Sequence, residues 1–250
     1  MWGIVPGAGH GARIQPLAFS KELLPVGSRE DSNGEHPKAV SEYLLERLAL
    51  GGVSKICFVI APGKLDILQY YGARVGSAEC IYVVQPRPAG LCDAIFRARP
   101  VIHPEEPVAV GLPDTIWFPQ EALKELPSDR LAFLLFPVRH PELFDAVVTD
   151  TAGAVRQVQV KSIHARTSWI WGAFTMPGRV FHELFELWRA RGESDAYVGT
   201  LVNAWLSQGG EAVGVRAGRD YVDVGTLHGY REALSLLATS ASRGGRRASG

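Results

Sequence analysis

The chain has 250 residues, 46% hydrophobic and 21% charged, with Lys plus Arg equal to Asp plus Glu at 26 each. This fits one sizeable core, and the charge balance offers no field for nucleic acid or an anionic membrane surface. No apolar run reaches the ~20 residues of a membrane span, and the first residues read as a strand rather than a signal peptide, so the expected compartment is the cytoplasm.

The chain opens on Trp2-Gly3-Ile4-Val5, an apolar strand that runs straight into Gly7-Ala8-Gly9-His10-Gly11-Ala12-Arg13. Closely spaced glycines at a strand end present bare backbone N–H groups to an anion, because no Cβ blocks its approach. Arg13 and Lys21 lie just beyond the turn and can neutralise that anion, which points to a nucleoside triphosphate. His10 reads as loop filler. Residues 27–37 read as a polar, glycine- and charge-rich loop. Pro37 then stands at the first turn of a helix over 37–48, with Val40, Leu44 and Leu48 on one face and Gly51-Gly52 as its stop.

Buried strands are predicted at 55–60, 81–84 and 108–112, with helices at 64–71 and 91–99. Alternation at this spacing predicts βαβ units and a mainly parallel sheet. Past about residue 130 the rhythm changes to strands at 131–138, 146–149, 155–160 and 169–176, with a hairpin turn at 150–153. Helices return at 178–191, 197–207 and 227–237, with strands 212–216 and 221–224 between the last two. Residues 239–250 lack core-forming side chains and read as a disordered tail. Cys57, Cys80 and Cys92 are far apart and lack zinc-site spacing, so they read as free thiols in a reducing compartment.

Asp114 follows strand 108–112, and Asp223 follows Tyr221-Val222. Strand carboxyl ends face the ligand crevice of an open α/β sheet. Two carboxylates delivered there suit Mg²⁺ held together with substrate phosphates. Taken singly, each aspartate reads as a turn cap. Taken with the opening segment, they read as metal carboxylates. Trp169 and Trp171 would share one strand face, either stacking on a sugar ring or packing into the core.

Over residues 2–237 the chain resembles the sugar-phosphate nucleotidyltransferases, relatives of glucose-1-phosphate thymidylyltransferases and UTP–glucose-1-phosphate uridylyltransferases. Gly9-His10-Gly11-Ala12-Arg13-Ile14-Gln15-Pro16 is similar to the family's Gly-x-Gly-Thr-Arg-x-x-Pro, and Lys21 to Val26 to its Lys-x-Leu-Leu-Pro-Val. Gln85-Pro86-Arg87-Pro88-Ala89-Gly90-Leu91 looks like the nucleobase segment. Leu112-Pro113-Asp114 and Tyr221-Val222-Asp223-Val224-Gly225-Thr226 look like the two metal segments.

The resemblance implies a three-layer αβα Rossmann-like nucleotidyltransferase (GT-A type) fold with a mixed, mainly parallel central sheet. It implies one domain over 1–238, with a nucleotide-binding half at 1–130 and a sugar-binding half at 131–238. The implied reaction joins a nucleoside monophosphate from an NTP, dTTP or UTP favoured, to a sugar-1-phosphate with release of pyrophosphate. Gly9, Gly11, Arg13, Gln85 and Gly90 would bind the nucleotide, Arg13 and Lys21 would act on the phosphates, and Asp114 and Asp223 would hold Mg²⁺. Lys161, Gly172 and Asp145 would meet the sugar phosphate. The resemblance also allows a homo-oligomer, with no nucleic acid or membrane partner.

Three departures stand out. Val160-Lys161-Ser162 replaces the usual Glu-Lys-Pro, Phe144-Asp145-Ala146 replaces Tyr-Gly-Val, and Ala12 replaces Thr. They keep open a nucleotidyltransferase-like regulatory or binding subunit without catalysis. A dinucleotide-binding Rossmann domain is disfavoured, because Pro16 and Pro25 interrupt any helix after Gly11 and no acidic residue ends a second strand at the required distance.

Overall fold

The computed structural model describes residues 1–245, with side chains described through residue 239. In the first half the strands are β1 (Trp2–Pro6), β2 (Pro25–Asp31), β3 (Gly34–Ala39), β4 (Lys55–Ile60), β5 (Arg74–Val75), β6 (Ala78–Val84), β7 (Val108–Gly111) and β8 (Thr115–Phe118). The helices among them are α1 (Val40–Leu50), α2 (Leu65–Tyr71) and α3 (Gly90–Phe96). The second half contributes β9 (Leu131–Pro137), β10 (Asp145–Thr149), β11 (Val155–Val160), β12 (Trp169–Met176), α4 (Gly178–Ala190), α5 (Val198–Ser207), β13 (Ala212–Val215), β14 (Asp220–Asp223) and α6 (Leu227–Gly245).

A ten-stranded mixed sheet runs in the order β11-β10-β12-β7-β1-β4-β6-β5, with β9 on β12 and β13 on β9. β7, β1, β4 and β6 are mutually parallel, whereas β10, β11 and β12 join antiparallel. Strand β4 shows why the fold has three layers. Its side chains alternate, Cys57 and Val59 entering one apolar cluster and Ile56 and Phe58 the other. Helices α3, α4 and α5 cover the first cluster through Ile95, Phe181 and Leu201, and α1 covers the second through Leu44, Leu45 and Leu48. A strand buried on both faces needs no polar alternation, hence its continuous apolar run.

Three expectations need correction. Pro37 lies in β3 rather than in a helical first turn, and residues 27–37 belong to the β2–β3 hairpin rather than to a loop. Pro37 is tolerated there because a two-stranded ribbon has a free edge on which a missing N–H loses no ladder bond. The expected stripe is correct nonetheless, since Val40, Leu44 and Leu48 are fully buried. Finally, α6 runs past residue 237 to Gly245, so the expected tail is helical backbone over 239–245, while 246–250 lie outside the described residues. Among the described residues no helix is long and apolar enough to cross a membrane.

Candidate active site

The parallel strands end together at one edge of the sheet, and the glycine segment leaves β1 there. Gly7 N–H donates to Val59 O at 2.8 Å, prolonging the strand by one bond before the chain turns away. The buried Lys64 ammonium then holds the turn from beneath. Its Nζ donates to Gly7 O at 2.7 Å and Gly9 O at 2.6 Å, and lies 2.8 Å from both carboxylate oxygens of Glu22. Burial pushes Lys64 below its ordinary value despite Glu22, and pushes Glu22 above its own despite Lys64.

Gly11 has φ +63°, and a Cβ there would stand 2.7 Å from Lys21 Cδ, so the turn needs glycine both for conformation and for the close passage of Lys21. Ser20 anchors the approach to Lys21, its N–H and Oγ–H each donating to Asp66 at 2.6 Å. Lys21 Nζ in turn donates to Asp114 Oδ2.

The two aspartates are brought together by a ribbon. β8 pairs antiparallel with β14 so that Thr115 faces Asp223, and Val224 N–H donates to Asp114 O at 2.8 Å. A fully buried arginine secures β8 to α1: Arg47 Nε and Nη2 donate to Trp117 O at 2.8 and 2.7 Å. Burial lowers its pKa to about 10, which leaves it charged at neutral pH. Arg13 Nη2 lies 3.2 Å from Asp223 Oδ2, and Gly225 N–H donates to Asp223 Oδ1 at 2.7 Å. A Cβ on Gly225 would stand 2.7 Å from Asp223 Oδ1, 3.0 Å from Arg13 Nη2 and 3.6 Å from Asp114 Oδ2. Two carboxylates and a cation thus surround one small gap kept clear by a missing side chain.

The electrostatics of this cluster are uneven. Burial works against the charge on Lys21, but Asp114, with Glu22 and Asp223, outweighs it and raises Lys21 above its usual value. Burial likewise opposes ionised Asp114, and Lys21 overrides it to hold that carboxyl low. Asp223 goes the other way, raised by burial and then by the charge of Asp114. Asp223 therefore has less cationic charge around it than its environment demands. Among the described residues no cluster of three or more His, Cys, Asp or Glu could hold a metal. A two-carboxylate site that shares its ion with phosphates needs none, and the residues here fit that kind of site.

Two cavities lie nearby, and only the second is lined by members of the cluster. One, of about 520 Å³, lies over the turn and is lined by His10, Gln15, Ser20, Lys64 and Gln85 among others. The other, of about 320 Å³, is lined by Arg13, Asp114, Asp145, Lys161, Trp171 and Tyr221 among others. Gln85 of the first cavity touches Gly90 of the second: its Nε2 donates to Gly90 O at 3.2 Å, and to Asp93 Oδ2 at 2.7 Å. Gly90 has φ +91°, and a Cβ there would stand 2.6 Å from Ala196 Cα, so the segment closes only on glycine. Lys161 points along the second cavity with its Nζ 4.8 Å from the centre of the Tyr197 ring. Gly172 does not line either cavity. A Cβ there would lie 2.6 Å from Phe136 and 2.7 Å from Tyr221, so its role is to let those rings close over β12. Gly9 lines neither cavity, although its carbonyl is held by Lys64. The structure thus brings Arg13, Gly90, Asp114, Asp145, Lys161 and Asp223 around one cavity, ties Lys21 to it through Asp114 and Gln85 through Gly90, and leaves Gly9, Gly11 and Gly172 outside its lining. Sequence reading missed Glu22, Lys64 and Arg47. Their only signal is a charge in an apolar setting, and its meaning depends on contacts distant in the chain.

No curated protein matches the chain by sequence. Among solved structures, a putative glucose-1-phosphate thymidylyltransferase from Bacillus anthracis, in complex with a sucrose, superposes with a TM-score of 0.77 at 21% identity, covering 94% of this chain and 95% of that one. A UTP-bound UGPase from Acinetobacter baumannii gives 0.76 at 19% identity, covering 94% and 92%. A UDP-glucose pyrophosphorylase from the same organism gives 0.74 at 20%, covering 93% and 91%. These likenesses show that the fold is shared. A family model described as nucleotidyl transferase matches residues 2–240, and the chain belongs to that family.

Proposed function

We propose that the protein transfers a nucleoside monophosphate from an NTP to a sugar-1-phosphate, releasing pyrophosphate and forming an NDP-sugar. The observation that carries this reading is the meeting of Lys21, Arg13, Asp114 and Asp223 beside the glycine turn, with one cavity lined by Arg13, Asp114 and Asp223 and another lying over the turn. An acceptor phosphate oxygen would attack the α-phosphorus while the bond to the bridging oxygen of pyrophosphate breaks. The nucleophile is already an anion, so no general base is needed, and catalysis reduces to alignment and charge neutralisation. Arg13 is largely exposed and would reach the triphosphate. Lys21, held protonated by its carboxylate neighbours, would neutralise charge at the reacting phosphates. Asp114 and Asp223 would hold Mg²⁺, which when bound supplies positive charge to the phosphate oxygens.

Gln85 would meet the base. Both partners of its amide nitrogen, Gly90 O and Asp93, are acceptors, so the carbonyl oxygen is the end left to accept an N–H from a base. Lys161 would grip the acceptor phosphate. The free thiols Cys57, Cys80 and Cys92 suit a reducing compartment such as the cytoplasm.

The test is pyrophosphate release, scanned over sugar 1-phosphates against dTTP, UTP, CTP and GTP with Mg²⁺. Turnover with one pair is expected, with UTP or dTTP ahead of CTP. Asp114→Asn is expected to lower kcat by about 10²–10³ while the melting temperature stays near wild type. NTP binding without turnover by any pair would favour a regulatory subunit, and full activity in Asp114→Asn would remove Asp114 from the site.

A further inference from the structure

The chain that joins the glycine turn to Lys21 is gripped at both ends from one place, residues 64–66 at the start of α2. On one limb Lys64 takes the carbonyls of Gly7 and Gly9. On the other Asp66 takes Ser20, whose N–H donates to Oδ2 and whose Oγ–H donates to Oδ1, each at 2.6 Å. Between the two grips, residues 10–19 are mostly exposed. Apart from Arg13 on Asp223, the hydrogen bonds there are local, from Ile14 N–H to Gly11 O and around Gln15. Lys21 therefore takes its place from the anchored end, not from the loop that leads to it.

Ser20 immediately precedes a single 3-10 turn, Lys21–Leu23, a position where a serine hydroxyl ordinarily accepts a backbone N–H of the turn. It makes no such cap and donates instead to an acid 46 residues further along the chain. Amide and hydroxyl of one residue thus meet one carboxylate, which fixes backbone and side chain together, and Ser20 is buried. Among the described residues Asp66 forms no ion pair, and its oxygens accept only from Ser20 and from Ile67 N–H. Burial would raise its carboxyl, but the two bonds from Ser20 override that and hold it below the ordinary aspartate value. Asp66 keeps this charge while lining the cavity of about 520 Å³ over the turn. A carboxylate on that wall opposes an incoming phosphate, so its presence is explained by what its oxygens hold.

Lys21 is the next residue. Its stem runs past Gly11, where a Cβ would stand 2.7 Å from Lys21 Cδ, before Nζ reaches Asp114. A long side chain with many rotamers is aimed only as well as its backbone is held. We propose that Asp66 is a positioning residue of the transfer reaction: acting through Ser20, it sets where Lys21 Nζ stands against the reacting phosphates. This inference rests on the nucleotidyltransferase reading above. It divides the work of residues 64–66, with Lys64 shaping the turn that binds NTP and Asp66 aiming the cation that acts during transfer.

The test uses Asp66→Ala, Ser20→Ala and the double variant. Steady-state pyrophosphate release is measured with the NTP and sugar 1-phosphate that wild type uses best, per mole of folded protein. Asp66→Ala is expected to lower kcat about 10- to 100-fold and to leave the NTP KM within about threefold. Ser20→Ala loses the hydroxyl bond but keeps the amide one, so its kcat should fall less. The double variant should be no slower than Asp66→Ala, because both substitutions act on one contact. Hydrogen exchange at the Ser20 amide should quicken at least about tenfold in Asp66→Ala. Wild-type kcat in folded Asp66→Ala, or losses that multiply in the double variant, overturns the assignment. Should Asp66→Ala not fold, Ser20→Ala and Asp66→Asn, which keeps one acceptor oxygen, decide the matter, and unchanged kcat in both overturns it. A wild type that turns over no sugar 1-phosphate, with its Ser20 amide protected, overturns the parent reading and this inference with it. An active wild type beside an equally active Asp66→Ala overturns this inference alone.

Discussion

At the residue scale the turn depends on a buried charge beneath it. Lys64 holds the carbonyls of Gly7 and Gly9 and is itself held by Glu22, and burial shifts both members of the pair against their charged forms. A buried pair of this kind contributes little net stability, but removing one partner strands the other. Lys64→Met is therefore expected to destabilise the fold by about 3–5 kcal/mol, read by denaturant unfolding. The double variant Lys64→Met with Glu22→Gln should regain most of that loss. It should still bind NTP at least about tenfold more weakly, because the two glycine carbonyls lose a donor worth about 1–3 kcal/mol. A double variant with wild-type NTP affinity would show that the turn holds its shape without Lys64. The glycines, Arg13 and Lys21 were legible from local spacing, since each acts within a short stretch of chain. Lys64 was not, because its partners lie in two segments 42 to 57 residues back along the chain.

At the element scale the site hangs on the β8–β14 ribbon and the helix that follows it. Gly229, in the first turn of α6, passes so close to β14 that a Cβ would overlap Asp223 O at 1.8 Å. Gly229→Ala must move α6 or Asp223. The expected stability cost is about 1–3 kcal/mol, read as a lower melting temperature. Pyrophosphate release should fall more than that cost explains, because Asp223 would leave the gap beside Gly225. Wild-type kcat in a destabilised Gly229→Ala would show that Asp223 tolerates the shift. Strand β8 was absent from the sequence reading although Thr115-Ile116-Trp117-Phe118 has the composition of a strand. It is short, bracketed by Pro113 and Pro119, and its partner lies far along the chain. The β2–β3 hairpin escaped for a different reason. Most of its residues are exposed, so no apolar alternation marks it.

At the scale of the whole molecule the core contains acids that burial keeps neutral. Cys57 and Cys92 are pushed from near 9 up to about 12, and Tyr43, whose hydroxyl donates to Val26 O at 2.8 Å, from near 10 up to about 12. Above pH 9 to 10 these groups lose protons in the unfolded chain but keep them in the folded one. The unfolded state then binds fewer protons, so stability falls as pH rises, by up to about 1.4 kcal/mol per pH unit for each group. Their contribution is complete below the ordinary values and is lost by about pH 12. Melting temperatures between about pH 8 and 11 should fall accordingly, and Cys57→Ala with Cys92→Ala should flatten the first part of the decline. An unchanged slope would place the alkaline loss elsewhere. The sequence by itself determined the strand–helix alternation, the mainly parallel sheet, and a glycine turn with Arg13 and Lys21 close behind it, because apolar periodicity and closely spaced glycines and cations act locally. Only the tertiary structure decided which carboxylates meet which cations and what holds the turn from beneath. Those are properties of strand register and burial, which join residues that the chain keeps far apart.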